Sequence, residues 1–192
     1  MDIGIPIKDL GELDATPLCE AILSQDNLAW DEDKQRQADY DAHRQTKSIV
    51  MLFASQTWPE VTITREKGWD RIAHVANPIM EEIIDRFYPP GGTIIRAVAA
   101  NLIAGGSISP HIDTLKSFAF GHRIHIPVTT NNLVRFMIDG QPYRFDMGHV
   151  YEINNQITHS VLNAGKEDRI SFIFDYIPAD VAAQQNAVFV NG

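Results

Sequence analysis

The sequence of 192 residues contains a single cysteine, Cys19, so it can form neither an internal disulfide nor a cysteine-based zinc site. It lacks the roughly 18 consecutive apolar residues of a transmembrane helix. It also lacks a run of basic residues, and its net charge of −9 argues against a general nucleic-acid binder. The first residues have neither the basic nor the apolar region of a signal peptide. These absences predict a cytoplasmic protein that binds neither nucleic acid nor membranes.

The composition, 44% hydrophobic and 21% charged residues, is that of a globular protein with a substantial core. One clear break in composition, Tyr-Pro-Pro-Gly-Gly at residues 88–92, divides the chain. We therefore expect one globular domain with three parts. Residues 1–92 pack on the core, residues 93–177 form the catalytic core, and residues 178–192 form a short helix or tail.

The pattern of residues 1–92 predicts helices and strands in mixed order. Residues 1–14 suggest a short edge strand, and Thr16–Leu23 has helical spacing with Thr16 as a possible cap. The charged segment 30–44 is typical of a solvated helix or a mobile loop. Ser48–Ala54 is short and apolar, which favours a buried strand. Trp69–Phe87 predicts a helical region that Pro78 either kinks or divides into two helices.

From Thr93 onward the pattern changes to short apolar runs separated by turn residues. Asp139-Gly140 between two such runs is a strong hairpin signal. Short strands at this spacing predict a mainly β fold, a double-stranded β-helix (jelly roll, cupin-like) with flanking N-terminal helices. The predicted strands lie near residues 93–103, 108–113, 121–129, 132–139, 142–145, 148–153, 157–163 and 168–177.

A pair of metal-ligand types, His111 and Asp113, stands two residues apart and would share one face of an extended strand. The pair alone is weak evidence, because so short a motif often arises by chance. His159 follows on a later predicted strand. Two histidines and one carboxylate on one face of an octahedral metal leave adjacent positions open, which is the arrangement of non-haem Fe(II) oxygenases.

Two further strands alternate polar and apolar residues. Arg123 and His125 share one face of their strand, and Arg169 and Ser171 share one face of theirs. Buried Arg and His side chains are costly unless paired, and no matching set of acids is evident. A polar pocket for an anion and a cation explains this pattern. Structural salt bridges from the two arginines are the alternative, with possible partners Asp139, Asp146 and Asp175.

Residues 93–177 resemble the aspartyl/asparaginyl β-hydroxylase branch of the Fe(II)- and 2-oxoglutarate-dependent oxygenases. The resemblance rests on motifs that agree in order and spacing. These are LIAGGSISPH at residues 102–111, RIH at 123–125, GHVYEINN at 148–155, HSVLN at 159–163 and DRISFIFD at 168–175.

This resemblance implies that His111, Asp113 and His159 bind Fe(II). It also implies that Arg169 anchors the distal carboxylate of 2-oxoglutarate, with Ser171 assisting, and that Arg123 and His125 lie near the metal-binding end of this cosubstrate. The implied reaction uses O2 to hydroxylate an unactivated C–H bond, most simply the β-carbon of an Asp or Asn residue or a carbon of a free amino acid. The animal members lack the carboxylate ligand, so Asp113 makes the chain more similar to bacterial relatives with a full triad, some of which hydroxylate free amino acids such as proline.

Two other classes of protein remain open. A cupin-like metal-binding protein, either an isomerase or a sensor without 2-oxoglutarate turnover, would leave Arg169 facing solvent. A non-catalytic binding module is the second alternative, and the joint presence of all three candidate ligands and Arg169 argues against it.

Overall fold

The computed structural model describes residues 1–32 and 45–192, so most of the charged segment 30–44 lies outside the described residues. The N-terminal part consists of β1 (Ile7–Glu12), α1 (Thr16–Leu23), α2 (Asn27–Asp31), β2 (Thr46–Ala54), β3 (Glu60–Arg65) and α3 (Lys67–Phe87). The remainder consists of β4 (Thr93–Leu102), β5 (Ser107–His111), α4 (Lys116–Phe120), β6 (His122–Pro127), β7 (Val134–Ile138), β8 (Gln141–Tyr143), β9 (His149–Ile153), β10 (His159–Asn163), β11 (Arg169–Ile177), α5 (Ala179–Gln184) and β12 (Val188–Asn191).

The strands form two sheets that pack face to face. The larger sheet has eight strands in the order β1-β9-β6-β11-β4-β2-β3-β12, and the smaller has four in the order β5-β10-β7-β8. Antiparallel pairing prevails, with β12 and β3 parallel. Apolar side chains from both sheets meet between them, and this confirms the predicted jelly roll. These side chains are Leu102, Val134, Phe136, Ile138, Phe145, Tyr151, Ile153 and Val161.

The outer face of the larger sheet is apolar and covered by helices α1 and α3. Ile124 and Ile126 of β6 lie on this face beside Phe172 and Phe174 of β11, and all are at most 1% exposed. Their neighbours in sequence therefore point between the two sheets. The predicted alternation in both strands is confirmed, and it directs Arg123, His125, Arg169 and Ser171 inward.

Helix α3 is continuous from Lys67 to Phe87 with Pro78 inside it. Of the two alternatives, a kink or a second helix, the second helix is therefore wrong. A proline in a helix interior removes one backbone hydrogen bond and costs about 3 kcal/mol. The helix persists because its buried face packs against the larger sheet, where Ile72, Ala76, Met80 and Ile83 are fully buried. Burial of such side chains contributes about 1.5–3 kcal/mol each, which outweighs the proline.

The strands predicted from Thr93 onward are all present, with ends shifted by a few residues. The Asp139-Gly140 hairpin between β7 and β8 is also confirmed, because both residues adopt positive φ, 50° and 72°, as a tight hairpin turn requires. Thr16 does not cap α1, contrary to expectation. Its own backbone N–H instead donates to the Asp14 carboxylate at 3.1 Å.

Both ends of the larger sheet come from outside residues 93–177. Strand β1 forms one edge beside β9, and β12 forms the other beside β3. The segment 178–192 contains the predicted short helix, α5, but also strand β12, which the sequence pattern did not reveal.

In the described part of the chain, no helix combines the length and apolar character needed to cross a membrane. The cytoplasmic location and the boundaries of the three parts stay predictions.

Candidate metal and cosubstrate site

Three predicted metal ligands converge at one end of the smaller sheet. His111 ends β5 and pairs directly with His159, the first residue of β10. Asp113 lies just beyond β5, where its backbone N–H donates to the carbonyl of Asn155 at 3.1 Å. The ligand atoms of the three side chains all lie within 4.8 Å of one another. The structure therefore brings together residues that two strands and one loop supply.

Both histidines are oriented with Nε2 available as a ligand. The Nδ1 atom of His111 lies 2.8 Å from the carbonyl oxygen of Ser109, and Nδ1 of His159 lies 3.0 Å from that of Ile157. A carbonyl oxygen only accepts, so each Nδ1 carries the proton and each Nε2 keeps its lone pair. Backbone carbonyls commonly orient metal-ligating histidines in this way. Burial also lowers the pKa of His159, which favours the neutral form that binds metal.

This donor set fits a ferrous ion. Two imidazole nitrogens and one carboxylate oxygen form the facial triad of non-haem iron oxygenases, with the remaining positions open to cosubstrate and oxygen. Asp113 and His159 are buried, and His111 is partly exposed. The three residues thus offer a metal site that is closed toward the core and accessible on one side.

Arg169 lies in the same pocket as the two histidines, at the start of β11. It is 4% exposed, and its Nη2 atom has no hydrogen-bond partner. Among residues 1–32 and 45–192, no carboxylate forms a salt bridge with it. Burial lowers the pKa of this guanidinium to about 10, so it stays a cation at neutral pH. A buried cation without an anionic partner is costly, and an anionic ligand would compensate it.

Two further predicted residues are buried with unsatisfied polar atoms. His125 also lines the pocket, and neither of its ring nitrogens has a hydrogen-bond partner. Burial lowers its pKa well below the ordinary value, followed by smaller contributions from Arg169 and Arg123, so the ring is neutral. Ser171, on the same face as Arg169, is fully buried with its hydroxyl unpartnered. These atoms could bond a polar ligand.

Arg123 lines the pocket but differs from Arg169, because it contacts two acids. Its Nε and Nη2 atoms donate to the Asp175 carboxylate at 2.8 Å each, and its Nη1 atom lies 2.9 Å from Oδ2 of Asp113. The expectation that the inward arginines lack matching acids is therefore wrong for Arg123. The salt-bridge alternative with Asp175 describes its surroundings, and its role as a cosubstrate contact stays a prediction.

Sequence reasoning missed the contribution of β2 to the site. Thr46 lines the pocket opposite Leu102, and Ser48 lies opposite Ala100 with its hydroxyl buried and unpartnered. Thr46 precedes the apolar run Ser48–Ala54, and Ser48 begins it. The run predicts a buried strand, but it does not show which strand pairs with it in the sheet. Only the pairing of β2 with β4 brings both residues level with Arg169 and Ser171, on the far side of β4.

The jelly roll, the His-Asp-His cluster and the buried cation define a protein of the non-haem iron oxygenase class. A family model described as aspartyl/asparaginyl beta-hydroxylase matches residues 19–178, most of the chain. The chain therefore belongs to this family. It is an Fe(II)- and 2-oxoglutarate-dependent hydroxylase that uses O2, as the resemblance implied. A comparison with curated proteins finds no match.

Solved structures share the fold at low sequence identity. A 2OG-Fe(II) oxygenase family oxidoreductase from Burkholderia pseudomallei aligns over 87% of this chain and 91% of its own, with 12% identity and a TM-score of 0.55. A non-heme monooxygenase in complex with nickel aligns over 90% and 74%, with 14% identity and a TM-score of 0.54. The viral collagen prolyl hydroxylase of Paramecium Bursaria Chlorella virus-1 aligns over 92% and 97%, with 8% identity and a TM-score of 0.51. These likenesses concern the fold alone.

The cupin-like alternative makes an expectation that the structure contradicts. A metal protein without 2-oxoglutarate turnover would leave Arg169 facing solvent, whereas this side chain is buried beside the candidate metal ligands. The non-catalytic alternative predicts loss of at least one ligand, whereas all three lie together.

Proposed function

We propose that this protein hydroxylates an unactivated C–H bond of an amino acid, either free or as an Asp or Asn residue of a peptide or protein. Fe(II) would be held by His111, Asp113 and His159. The cosubstrate 2-oxoglutarate would bind through Arg169, Ser171 and His125. When bound, the iron and the cosubstrate supply the oxidising chemistry, and the protein supplies ligands, an anion site and a sheltered pocket.

One observation carries this proposal. The buried guanidinium of Arg169 shares a pocket with His111 and His159 and has no carboxylate partner among the described residues. A dicarboxylate that reaches from the metal to Arg169 would satisfy both ends at once. The planar fork of an arginine suits a terminal carboxylate, which it can bind by two parallel hydrogen bonds.

The remaining polar groups suit the same ligand. The Ser171 hydroxyl can donate to the carboxylate beside Arg169, since both residues lie on one face of β11 two positions apart. Neutral His125 can donate from one ring nitrogen to an oxygen nearer the metal. Apolar walls from Leu102, Phe136 and Ile153 surround these groups. They exclude water and so strengthen each charge-assisted contact.

The first test is an anaerobic titration of the metal-free protein with Fe(II) and then with 2-oxoglutarate. The signal measured is the weak visible absorption band of a metal-chelated 2-oxoacid. We expect the band in the wild-type protein. Arg169→Ala should raise the 2-oxoglutarate concentration needed by at least tenfold, because a charge-assisted pair is lost. The matched control is Arg144→Ala, which removes an arginine that directly follows β8 and whose side chain is 60% exposed. An equal shift in both variants, or none in Arg169→Ala, would reject Arg169 as the anion site.

The substrate class is tested by turnover. Free amino acids, proline included, and short peptides with a central Asp or Asn are incubated with Fe(II), 2-oxoglutarate and O2. We expect formation of succinate to match the gain of one oxygen atom in one of these substrates, measured by mass spectrometry. Succinate without any oxygenated product across both sets would contradict the proposed substrate class while leaving the cosubstrate site intact.

A further inference from the structure

The carboxylate of Asp113 is contacted from two sides. Its Oδ1 atom lies 3.8 Å from Nε2 of His111, on the side of the candidate metal ligands. Its Oδ2 atom lies 2.9 Å from Nη1 of Arg123, in an ion-pair contact without hydrogen-bond geometry. The guanidinium of Arg123 therefore contacts Oδ2 of Asp113, and Oδ1 lies on the side of His111 and His159.

Arg123 is itself held in place by Asp175. The two residues lie directly opposite each other on β6 and β11, and Nε and Nη2 of Arg123 donate to the two carboxylate oxygens at 2.8 Å each. This is the bidentate arrangement that fixes a guanidinium most firmly. Asp175 is 2% exposed, and Arg96, opposite it on β4, contacts it from the other side with a separation of 3.6 Å. Asp175 is therefore held from two sides, and Arg123, partly buried, is fixed against it by two hydrogen bonds.

An aromatic ring ties this pair to the segment that carries Asp113. Phe118 of α4 contacts two guanidinium groups, because those of Arg96 and Arg123 each lie 4.4 Å from the centre of its ring. Such contacts attract a cation to an aromatic face. Asp113 and Phe118 are five residues apart in sequence. The segment that follows β5 thus contacts Arg123 at two points, through the charge of Asp113 and through the ring of Phe118.

We propose that Asp175, acting through Arg123, positions Asp113 so that one carboxylate oxygen faces the metal. Nε and Nη2 of Arg123 face Asp175 and Nη1 faces Asp113, so the fork is directed at protein carboxylates. Arg123 then orients a metal ligand and offsets its negative charge, and the Arg169 site remains the anchor for the cosubstrate. This inference rests on the proposed function, because it assumes that His111, Asp113 and His159 bind a metal.

The test measures metal binding in the absence of 2-oxoglutarate. Metal-free protein is titrated with Co(II), whose visible absorption reports both affinity and coordination geometry. We expect Asp175→Asn to weaken Co(II) affinity by about 10- to 100-fold, the usual effect of removing a group that supports a metal ligand. Its absorption spectrum should also change, since a loosened Asp113 coordinates differently.

A matched control separates positioning from stability. Glu152→Gln removes another carboxylate that is 2% exposed, in a network with Tyr88 and His122 away from the metal ligands. It should lower the thermal stability and leave the Co(II) affinity and spectrum unchanged. An equal loss of Co(II) affinity in Glu152→Gln and Asp175→Asn would overturn the inference.

A second variant guards against misfolding of Asp175→Asn. Arg123→Lys keeps the charge but loses the fork, so it cannot hold both carboxylates. We expect about tenfold weaker Co(II) binding and an affinity of the metal-loaded variant for 2-oxoglutarate within about threefold of wild type. The reverse result, unchanged Co(II) binding with tenfold weaker 2-oxoglutarate binding, would make Arg123 a cosubstrate contact and reject the positioning role. A wild-type protein that binds no Co(II) would contradict the proposed function itself.

Discussion

Replacing Arg169 with methionine should stabilise the protein when metal and cosubstrate are absent. Burial alone lowers the pKa of this guanidinium from its ordinary value to about 10. At about 1.4 kcal/mol per pH unit, this corresponds to roughly 3 kcal/mol of destabilisation of the folded protein. Because the pKa of the folded state is below that of the unfolded state, the penalty is fully present at neutral pH. It is relieved only as the pH rises above about 10, where the folded protein loses this proton and the unfolded chain still holds it.

Methionine keeps an unbranched side chain and removes the charge. We expect Arg169→Met to raise the free energy of unfolding of the metal-free protein by about 1–3 kcal/mol, as for other buried charges replaced by apolar residues. For a domain of this size, this corresponds to about 2–12 °C in Tm. Urea denaturation and thermal unfolding of the metal-free protein measure the change. Arg144→Met, at an exposed position, is the control and should have little effect.

The order of stabilities should reverse when ligands are added. With the metal bound, 2-oxoglutarate at about 1,000 times its dissociation constant stabilises the wild type by about 4.1 kcal/mol through binding to the folded state. Arg169→Met gains only the contribution of the metal, so its advantage of about 1–3 kcal/mol is lost. A metal-free Arg169→Met protein that is less stable than wild type would refute this reasoning. It would mean that a group within the protein already compensates the Arg169 charge.

The other predictions concern the metal site and the scaffold. His111→Ala and Asp113→Ala should each abolish turnover together with tight Fe(II) binding, measured by equilibrium dialysis, and full activity in both would reject the triad. Phe172→Ala should cost about 3–5 kcal/mol of unfolding free energy, because its side chain is fully buried against the helices; a loss below 1 kcal/mol in urea denaturation would contradict the described core. Gly68→Ala should cost about 1–3 kcal/mol, because a Cβ there would lie 2.3 Å from the carbonyl oxygen of Val50. Unchanged thermal stability would show that α3 lies farther from β2 than described.

Alternation within single strands was enough to predict which side chains point into the pocket. Arg169 and Ser171 face one way and Phe172 the other, a pattern that needs no knowledge of neighbouring strands. The candidate metal ligands could be identified for a related reason, because the spacing of His111 and Asp113 restricts where both side chains can reach. The strands after Thr93 could be located because turn residues separate them.

Pairing between strands could not be predicted in the same way. The sequence contains many acids, and nothing in a single chain shows that Asp175 lies opposite Arg123 while none lies opposite Arg169. Register decides this, and register depends on the packing of the whole sheet. Strand β12 was missed for a related reason. It has only four residues and lies at an exposed edge of the sheet, so no buried face imposes a regular hydrophobic pattern on its sequence.

The contrast between Arg123 and Arg169 follows from the residues that lie directly opposite each of them on neighbouring strands of the larger sheet, here called the row of that residue. In the row of Arg169 the neighbours are Leu102 on β4 and Thr46 on β2, neither of which carries a charge. In the row of Arg123 the neighbour is Asp175, followed by Arg96. The same residue type therefore has a compensated charge in one row and an uncompensated charge in the other. A buried charge without a partner persists at a cost in stability, so the uncompensated arginine is the one whose charge a ligand has to balance.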